Sequence, residues 1–496
     1  MKYEVKKVSL VGAGPGDENL LTVKAMHCIE NADVIIYDNL INPTILNNVK
    51  SDAELIYAGK AAGNHHMSQD EINETIKKYA LIGKYVVRLK GGDPYVFGRG
   101  AEEAQYLIQN NIDFETVHGV SSFYAALGYA GIPVTHRDCA EAFYVFTGHR
   151  KHGENFDLDF KSIAKLSGSL IFLMGLSNID FIAEGLIKNG MAPDTGAAVV
   201  ENGTRYNQRV FKAGLIDIAK VVKEKKVISP AVIAVGNVCE KDLTFLMKEK
   251  MLLSGKNILL TATKELCDKM APVFESLGAN ICKISLIAVK EVEVKKEVFI
   301  NELKKSTHIL LTSANGVDFF WKKIRELNID IRSLYDKKIC VIGSKSAEEL
   351  NKYGINADFI PSKFDSKTFL EEISVMLNNK SHVLMLRAKE GNDTLPKGLG
   401  EAGIKYSDIP IYETVIDERR KFELNREIKK VDYIVVASGS AARALFKMID
   451  DKEFLREKII SIGPVTTGVI REFGINEKAT ALKYDVEGIV DVIGKL

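Results

Sequence analysis

The sequence predicts an α/β protein made of two successive halves, the second of which is internally duplicated. In the first half, short apolar runs alternate with amphipathic stretches and glycine turns, a pattern typical of buried and largely parallel sheets. In the second half, three strand-like segments recur in the same order at nearly constant separation. The length of 496 residues exceeds what one ordinary core accommodates, so we expect at least two domains.

The composition excludes several broad classes of protein. Hydrophobic residues make up 46% of the chain and charged residues 27%, which is typical of a soluble globular protein. The formal net charge of +1 gives no global electrostatic reason to expect binding to nucleic acid or membranes. The six cysteines form no CxxC pair and no zinc-like spacing, so we expect reduced thiols and no bound metal. Because the N-terminus lacks an apolar signal core, we expect a cytoplasmic protein.

Apolar runs and a charged connector divide the chain. The predicted strands of the first half are VSLVG, ADVIIYD, KYVVRLKGGDP, FYVFTGH, GSLIFLMG and PAVIAVGNV. The lysine-rich segment that follows Val238 has helical character and ends at Gly255, which indicates a connector. We therefore expect a first domain over residues 1–245, a connector over 246–255 and a second domain over 256–496.

The second half repeats three segments in order. NILLTATKE matches VLMLRAKEG, HILLTSANGVDFF matches YIVVASGSAARALF, and KICVIGSKSAEEL matches KIISIGPVTTGVI. This duplication predicts two similar α/β lobes, about 256–287 plus 417–496 and 288–416, with a cleft for a ligand between them. The links CKISLIAVKEVEV and SDIPIYETVID are the predicted crossings. A symmetric binding module without chemistry would produce the same pattern.

Four further segments of the second half end alike. In SLGANICKI, KYGINADFI, EAGIKYSDI and EFGINEKAT, an amphipathic stretch meets a glycine and then an extended segment. Each one predicts a helix end, a glycine cap and a following strand.

The first predicted strand leads into the glycine loop GAGPGD, residues 12–17. A dinucleotide-binding fingerprint needs a small residue where Asp17 stands, and a phosphate nest needs the N–H that Pro15 lacks. We therefore expect a neutral or cationic ligand here rather than a phosphate, with Asp17 capping the next helix. A tight turn without a ligand is the alternative.

A second glycine stretch, KGGDPYVFGRG, begins at Lys90. Its glycines allow a ligand to approach the backbone closely, and Asp93 is a candidate acceptor of hydrogen bonds from a ribose or an amino group. Arg88, Lys90 and Arg99 provide positive charge nearby. A solvated Gly-Asp-Pro turn is the alternative for this segment alone.

Ten segments over residues 8–238 resemble, in family order, the uroporphyrinogen-III C-methyltransferases of the tetrapyrrole methylase superfamily. They are VGAGPGD, ADVIIYD, YAGK, SQDEIN, VVRLKGGDPYVFGRGAEEA, YAGIPVTHR, FTGH, FLMG, ENGTRYNQRV and SPAVIAVGNV. The resemblance implies a two-lobed fold with S-adenosyl-L-methionine in its cleft and a homodimer formed through this half. It also implies two methylations of uroporphyrinogen III, which give precorrin-2.

The resemblance assigns roles to individual residues. The cofactor-binding positions are Pro15, Gly91, Gly92, Asp93, Val96, Ser121, Ser122, Met174 and Gly203. Asp38 corresponds to the proposed proton acceptor and Lys60 to the proposed donor, and substrate binding alone is the alternative for both. Two positions depart from the family pattern, His118 where proline is usual and Leu173 where tyrosine is common, which leaves the local loop shape and one aromatic contact open.

Uroporphyrinogen carries many carboxylates, so cationic side chains are expected to line its cleft. The candidates are Arg88, Lys90, Arg99, His136, Arg137, His149 and Arg205. The alternative for each is an ordinary surface position, and for His149 that alternative is favoured.

Segments over residues 256–496 resemble uroporphyrinogen-III synthase: LLTSANGV, IGSKSAEEL, MLRAKEG, IPIYET, ASGSAAR and IGPVTT. The resemblance implies cyclisation of hydroxymethylbilane with inversion of ring D, which would supply the substrate of the first half. Tyr412 is the candidate acid that assists departure of the hydroxyl group. Candidate hydroxyl groups for binding carboxylates beside helix N-termini are Thr312, Ser313, Ser346, Ser438, Thr466 and Thr467, with helix capping as the alternative.

Two other functions stay open at this point. A related methylase would act on later corrinoid intermediates or, in a diphthamide-forming relative, on a protein. A degenerate binding module would keep the fold without the chemistry; Asp38, Lys60 and the Gly91–Asp93 motif argue against it for the first half. The segments GGDPYVFGRG and YAGIPVTHR favour the uroporphyrinogen branch, whose product is compatible with siroheme, cobalamin or another tetrapyrrole.

Overall fold

A computed structural model describes residues 8–59, 67–148, 158–243 and 251–496. The chain forms two compact units. One unit comprises Met1–Leu286 with Glu418–Leu496, and the other comprises Ile287–Asp417. The chain passes between the units within CKISLIAVKEVEV and SDIPIYETVID, the two segments that the sequence predicts as crossings.

The first sheet has five parallel strands, and buried side chains cover both of its faces. Its strands are Val8–Gly12 (β1), Val34–Tyr37 (β2), Glu54–Tyr57 (β3), Val86–Lys90 (β4) and Phe114–Val117 (β5), and its helices are Val23–Asn31 (α1), Gln69–Leu81 (α2) and Gly100–Gln109 (α3). The strand order is β3-β2-β4-β1-β5. Leu10 packs with Ile36 in one buried layer, and Val11 packs with Ile35 in the other. Burial on both faces explains why these strands are continuous apolar runs.

The second sheet is mixed. Its elements are Ser122–Tyr129 (α4), Phe143–Thr147 (β6), Phe160–Ile163 (α5), Ser169–Leu173 (β7), Ile179–Lys188 (α6), Gly196–Glu201 (β8), Arg209–Gly214 (β9), Ile218–Glu224 (α7) and Ala231–Val235 (β10). The order is β6-β7-β10-β8-β9. Strand β10 runs antiparallel to both of its neighbours, while β6 and β7 are parallel.

A third sheet begins in the second half and is completed near the C-terminus. Its first elements are Asn257–Leu260 (β11), Lys264–Ser276 (α8) and Asn280–Lys283 (β12). Between them and the remainder lies the second unit, which contains Ile287–Glu291 (β13), Lys296–Lys305 (α9), His308–Leu311 (β14), Ala314–Glu326 (α10), Lys338–Val341 (β15), Ser344–Lys352 (α11), Ser366–Ile373 (α12), His382–Ala388 (β16), Thr394–Glu401 (α13) and Lys405–Ile416 (β17). The chain then returns to form Lys421–Glu427 (α14), Tyr433–Val436 (β18), Gly439–Met448 (α15), Ile459–Ser461 (β19), Pro464–Glu472 (α16), Ala479–Thr480 (β20) and Val486–Ile493 (α17).

The strand orders of the third and fourth sheets agree with the predicted duplication. The third sheet is ordered β12-β11-β18-β19-β20, and the sheet of the second unit is ordered β13-β17-β16-β14-β15. The segments aligned from the sequence place β11 with β16, β18 with β14 and β19 with β15. These matched strands are neighbours in the same order in both sheets, and β12 occupies the position of β17. Among the described strands, β13, antiparallel to β17, has no counterpart in the third sheet, and β20 has none in the fourth.

The four predicted glycine caps are present, whereas the connector differs from its prediction. Gly278, Gly354, Gly403 and Gly474 follow helix ends with φ between 67° and 90°, the left-handed region that closes a helix. The sequence predicts a connector that is helical as far as Gly255. Its described part, from residue 251, forms a turn in which Leu253 is fully buried, so packing of this leucine prevails over the local helical pattern.

The six cysteines are unpaired, with five of them buried and Cys139 partly buried. Among the described residues, no helix combines the length and the apolar composition that a bilayer-spanning segment needs.

Candidate functional site

A cavity of about 370 Å³ lies beside the carboxyl edge of the first sheet. Loops that follow β1, β2 and β4 line one side, and residues of α4, β7, β8, β10 and their loops line the other. The carboxyl edge of a parallel sheet is where open α/β folds bind ligands. Seven residues predicted to contact a cofactor line this cavity: Pro15, Gly91, Gly92, Val96, Ser122, Met174 and Gly203.

The two glycine loops are held together by backbone hydrogen bonds. The N–H of Gly92 donates to the carbonyl of Gly14 (2.7 Å), and the N–H of Gly14 donates to the carbonyl of Gly92 (3.2 Å). A Cβ atom at Gly12 would lie 2.7 Å from the carbonyl oxygen of Gly92, so only glycine permits this approach. These glycines therefore shape the cavity wall.

Asp17 caps the turn that follows the first loop, as predicted. Its carboxylate accepts a hydrogen bond from the N–H of Asn19 (2.9 Å), where the 3₁₀ turn Glu18–Leu20 begins. The same carboxylate accepts from the hydroxyl of Tyr129 (2.8 Å), and the N–H of Asp17 donates to the hydroxyl of Thr204 (3.0 Å). Asp17 therefore links the first sheet's loop to elements of the second sheet.

Asp93 lies behind the cavity wall rather than in the wall. One oxygen of this buried carboxylate accepts from the N–H of Tyr95 (2.8 Å), and the other accepts from the N–H of Gly119 (3.1 Å) and lies 2.9 Å from Nδ1 of His118. Both oxygens thus contact the protein and Asp93 is absent from the cavity lining, which does not agree with the predicted contact to a ribose or an amino group. Ser121 is likewise buried, at the N-cap position of α4, and is absent from the cavity lining.

The loop after β8 approaches helix α4 closely at Gly203. A Cβ atom at Gly203 would lie 2.2 Å from the Cβ of Ala126, far inside van der Waals contact. Both residues line the cavity, so this contact sets its width.

The sequence prediction missed much of the cavity lining. The additional residues are Gly14, Asn39, Leu40, Phe97, Gly98, Ala126, Leu173, Leu176, Val200, Asn202, Ser229, Pro230, Ala231 and Val232. Some of them, such as Asn39 and Leu40, follow a strand of the first sheet, and their position at a strand end is the signal that could have identified them. The others come from the second sheet, whose approach to the first is a tertiary property.

Asp38 belongs to a charged network beneath the loop that follows β2. Its Oδ2 lies 3.1 Å from Nη2 of Arg88, and Nε of Arg88 lies 3.2 Å from Oε1 of Glu103. The ammonium of Lys90 lies 2.9 Å from the same Glu103 oxygen. Glu103 is fully buried, and burial lowers the pKa of Lys90.

This network corrects the expectation that Arg88 and Lys90 bind substrate carboxylates. Both side chains are buried and paired with Glu103, so neither guanidinium nor ammonium faces an open cleft. Burial acts to lower the pKa of Arg88, but the adjacent Asp38 and Glu103 carboxylates leave it raised overall. The contacts of Arg88 indicate that its guanidinium orients the Asp38 carboxylate.

The other predicted cationic residues are dispersed. Arg99 is exposed at the start of α3 and pairs with Glu102 (2.6 Å), and Nδ1 of His136 accepts from the N–H of Asp138 (3.2 Å). Arg137 is exposed. Lys60 and His149 lie outside the described residues.

Arg205 is the predicted cationic residue that lines the cavity. Its guanidinium donates to the carbonyl of Leu40, which also lines the cavity. Burial lowers the pKa of Arg205, and the nearby charge of Arg426 adds to this effect.

In the second unit, the structure brings two predicted residues together. The hydroxyl of Tyr412 on β17 lies 2.7 Å from that of Ser313, which caps α10 by accepting from the N–H of Gly316 (3.0 Å). The rings of Tyr412 and Phe319 are stacked, with their centres 5.7 Å apart. Burial raises the pKa of Tyr412, so its hydroxyl stays protonated at neutral pH.

The remaining hydroxyl groups also lie near helix N-termini. Ser438 caps α15 by accepting from the N–H of Ala441 (3.1 Å), the counterpart of the Ser313 cap. Thr466 and Thr467 are buried in the first turn of α16, and Thr467 pairs with Thr480 (2.8 Å). Ser346 is buried in the first turn of α11 and Thr312 immediately precedes the cap of α10. The capping alternative thus describes Ser313 and Ser438.

Comparison with known families places two matches along the chain. The family described as tetrapyrrole (corrin/porphyrin) methylases matches residues 7–219, and the family described as uroporphyrinogen-III synthase HemD matches residues 268–491.

One relative covers nearly the whole chain, whereas two shorter proteins cover about half of it. The porphyrin biosynthesis protein HemD of Ruminiclostridium josui is 34% identical over 488 residues, which covers 98% of this chain and 97% of that protein. The S-adenosyl-L-methionine-dependent uroporphyrinogen III methyltransferase of Methanosarcina barkeri is 50% identical over 233 residues, covering 47% of this chain and 91% of its own length. A crystal structure of uroporphyrin-III C-methyltransferase from Thermus thermophilus with S-adenyl homocysteine is 35% identical and covers 47% of this chain and 99% of that one, with a TM-score of 0.42. The chain therefore belongs to the tetrapyrrole methylases in its first half and to the uroporphyrinogen-III synthases in its second half.

Proposed function

We propose that this chain is a bifunctional enzyme of tetrapyrrole biosynthesis. Its second half closes hydroxymethylbilane to uroporphyrinogen III with inversion of ring D. Its first half transfers two methyl groups from S-adenosyl-L-methionine to uroporphyrinogen III and gives precorrin-2. The cavity lined by the seven predicted cofactor residues carries the proposal, and the relative that matches over 97% of its own length, across both halves, supports the combination.

The cavity fits S-adenosyl-L-methionine in size and chemistry. Its volume of about 370 Å³ lies within the usual range of roughly 300–1,000 Å³ for small-molecule sites. Much of its wall is glycine backbone and apolar side chains, and Pro15 lacks the N–H that a phosphate would need. The polar members of the lining are Asn39, Ser122, Asn202, Arg205 and Ser229. The seven lining residues would hold the cofactor. When bound, S-adenosyl-L-methionine supplies a methyl group that its positive sulfur activates for displacement.

In the first half, the protein positions the tetrapyrrole and accepts a proton. Holding a pyrrole carbon in line with the methyl donor can supply several kcal/mol of the barrier. Methylation of that carbon is followed by loss of a proton from the macrocycle, and Asp38 accepts it. Arg88 keeps Asp38 in place through their ion pair of 3.1 Å, and Arg205, which lines the cavity, is a candidate for binding a carboxylate.

In the second half, the hydroxyl of Tyr412 assists departure of the substrate's hydroxyl group as water. The contact of 2.7 Å with Ser313 orients the phenol, and its raised pKa keeps the proton available. Because hydroxymethylbilane ionises readily, the protein has mainly to fold the chain and place ring D for closure. Thr312 and Ser346, near helix N-termini of the same unit as Tyr412, are proposed to contact its carboxylates.

One assay tests both activities. Hydroxymethylbilane is supplied to the purified chain with and without S-adenosyl-L-methionine, and the products are separated by chromatography and mass. We expect the type III ring without the cofactor and a doubly methylated product with it. Appearance of the type I ring alone would overturn the synthase assignment, and an unmethylated type III ring in both samples would overturn the methyltransferase assignment.

Two further properties are proposed from the family resemblance. The enzyme acts in the cytoplasm, and it forms a homodimer through the methyltransferase half. Sedimentation velocity of the full chain at micromolar concentration would measure the second property directly.

A further inference from the structure

The segment 419–427 of the synthase half, which includes helix α14, lies against the loop that follows β2 of the methyltransferase half. Both belong to the same compact unit. The guanidinium of Arg420 donates to the carbonyl of Pro43 (2.7 Å), and Arg419 donates to the carbonyl of Ala53 (2.7 Å). Arg420 is buried to 1% exposure. This segment is therefore a fixed part of the methyltransferase half's surroundings.

Arg426 reaches a residue of the cavity wall from this segment. Its Nη1 donates to Oδ1 of Asn39 at 2.8 Å, and Asn39 lines the cavity. Asn39 stands between Asp38, the proposed proton acceptor, and Leu40, whose carbonyl accepts from Arg205. A side chain of the synthase half thus orients Asn39, the residue that follows the proposed proton acceptor.

Neighbouring side chains hold Arg426 in position. Its guanidinium lies 5.7 Å from the ring centre of Phe422, which packs on Tyr57 with ring centres 4.4 Å apart. One turn along the helix, the buried carboxylate of Glu423 accepts from the hydroxyl of Tyr37 (2.5 Å), the last residue of β2. These contacts hold α14 in register with the end of that strand.

A second contact joins the same segment to the opposite wall of the cavity. Glu427, 2% exposed, accepts from the hydroxyl of Tyr206 (2.8 Å) and pairs with Nε of Arg426 (2.7 Å). Tyr206 adjoins Arg205, which lines the cavity. Arg426 and Glu427 therefore couple the loop after β2 to the loop after β8, the two segments that approach the cavity from different sheets.

We propose that Arg426 of the synthase half is a positioning residue of the methyltransferase site, acting through Asn39. The proposal rests on the function proposed above for the first half. It implies that methyl transfer by this chain depends on the synthase lobe even when uroporphyrinogen III is supplied ready-made. The coupling is structural, with no requirement that an intermediate pass between the two sites.

The test uses the full chain and the variants Arg426→Ala, Arg426→Lys, Asn39→Ala and the double variant Arg426→Ala/Asn39→Ala. Uroporphyrinogen III and S-adenosyl-L-methionine are supplied directly, and S-adenosylhomocysteine binding is measured by calorimetry. Since a displacement of about 1 Å costs on the order of 100-fold in rate, we expect Arg426→Ala to lower kcat at least about tenfold and to weaken S-adenosylhomocysteine binding. Arg426→Lys should recover part of both. The double variant should lose less than the two single losses combined, because the two residues share one contact.

Arg456→Ala is the matched control, because Arg456 lies in the same lobe and forms an exposed ion pair with Glu453 (3.0 Å). It should leave both readouts unchanged. Retained synthase activity and an unchanged unfolding midpoint would show that Arg426→Ala is folded. If the variant unfolds, the comparison of Arg426→Lys with Asn39→Ala decides instead.

The outcomes separate the two proposals. An inactive wild-type chain would overturn the methyltransferase function itself. An active wild-type chain with wild-type kinetics and binding in Arg426→Ala would overturn only the positioning role. Additive losses in the double variant would also overturn it, because they would show that Arg426 does not act through Asn39.

Discussion

The carboxylate of Asp38 lies 3.1 Å from the guanidinium of Arg88, and that guanidinium is buried against Glu103. A second oxygen of Asp38 accepts from the N–H of Leu40 at 2.9 Å. The two contacts fix the orientation of a partly exposed carboxylate at the end of β2. They give Asp38 a defined geometry without placing it in the cofactor cavity.

Asp38 is expected to accept the proton that the macrocycle loses after methyl transfer. Asp38→Asn keeps the size of the side chain and removes its basicity, so we expect methyl transfer to fall by about 10²–10⁴-fold. Calorimetric binding of S-adenosylhomocysteine should change little, because Asp38 does not line the cavity. Full turnover in this variant would remove Asp38 from the chemistry.

Substitutions of Arg88 and Arg99 compare the contributions of a buried and an exposed ion pair to the free energy of unfolding. Arg88→Ala leaves buried Glu103 with one cation fewer, and loss of a partner from a buried ion pair costs about 3–5 kcal/mol. Arg99 forms an exposed pair with Glu102, worth about 0–1 kcal/mol. Urea unfolding monitored by circular dichroism would measure both. Equal destabilisation by the two substitutions would contradict the buried network.

Gly203 is expected to control the width of the cavity. In Gly203→Ala the new Cβ meets the Cβ of Ala126 at 2.2 Å, so the loop or helix α4 must move. We expect S-adenosylhomocysteine affinity to fall at least about tenfold, which corresponds to about 1.4 kcal/mol. Isothermal calorimetry provides the measurement.

Gly128→Ala is the control for Gly203→Ala. Gly128 lies on α4, and a Cβ atom added there would meet no other atom within 4 Å. Replacing this glycine improves helix propensity by up to about 1 kcal/mol. Affinity should be retained and stability equal or higher. Loss of affinity in both variants would show that α4 responds to any change rather than to the contact with Ala126.

These residues also show what the sequence could predict. The strands and the glycine caps follow from local patterns, because apolar runs and glycines have local conformational consequences. The duplication follows from segments that recur in the same order. The pairing of Arg88 with Glu103 could not be predicted in this way. A cationic residue in a strand gives the same sequence pattern whether its side chain faces a substrate or a buried carboxylate. The contact between Asn39 and Arg426 joins residues from the two halves of the chain, and no local pattern indicates it.

Tyr206 is predicted to make the free energy of unfolding of the chain fall as pH rises in the alkaline range. Burial raises its pKa, and the nearby carboxylate of Glu427 adds to the shift, so the unfolded state releases this proton first, at about pH 10. The contribution of this shift to the free energy of unfolding is complete below about pH 10. It falls by about 1.4 kcal/mol for each pH unit above that.

Urea unfolding between about pH 9 and 11 tests this pH dependence. The decline in stability should be shallower in Tyr206→Phe than in the wild type, because the substituted residue has no proton to release. Tyr335→Phe, at a side chain 91% exposed, should decline as the wild type does. Identical slopes for all three proteins would contradict the prediction.

Substitutions of Tyr412 and Tyr406 distinguish acid assistance by Tyr412 from the effect of removing any tyrosine hydroxyl on the same strand. Both lie on β17, but Tyr412 is buried with its hydroxyl 2.7 Å from Ser313, whereas Tyr406 is exposed. If Tyr412 assists the departure of water, Tyr412→Phe should slow formation of the type III ring by about 10²-fold or more, while Tyr406→Phe should cyclise at the wild-type rate. The uncatalysed type I ring should increase as the type III ring falls, because hydroxymethylbilane that escapes the enzyme closes without inversion. An unchanged rate in Tyr412→Phe would leave positioning of the substrate as the whole of the synthase mechanism.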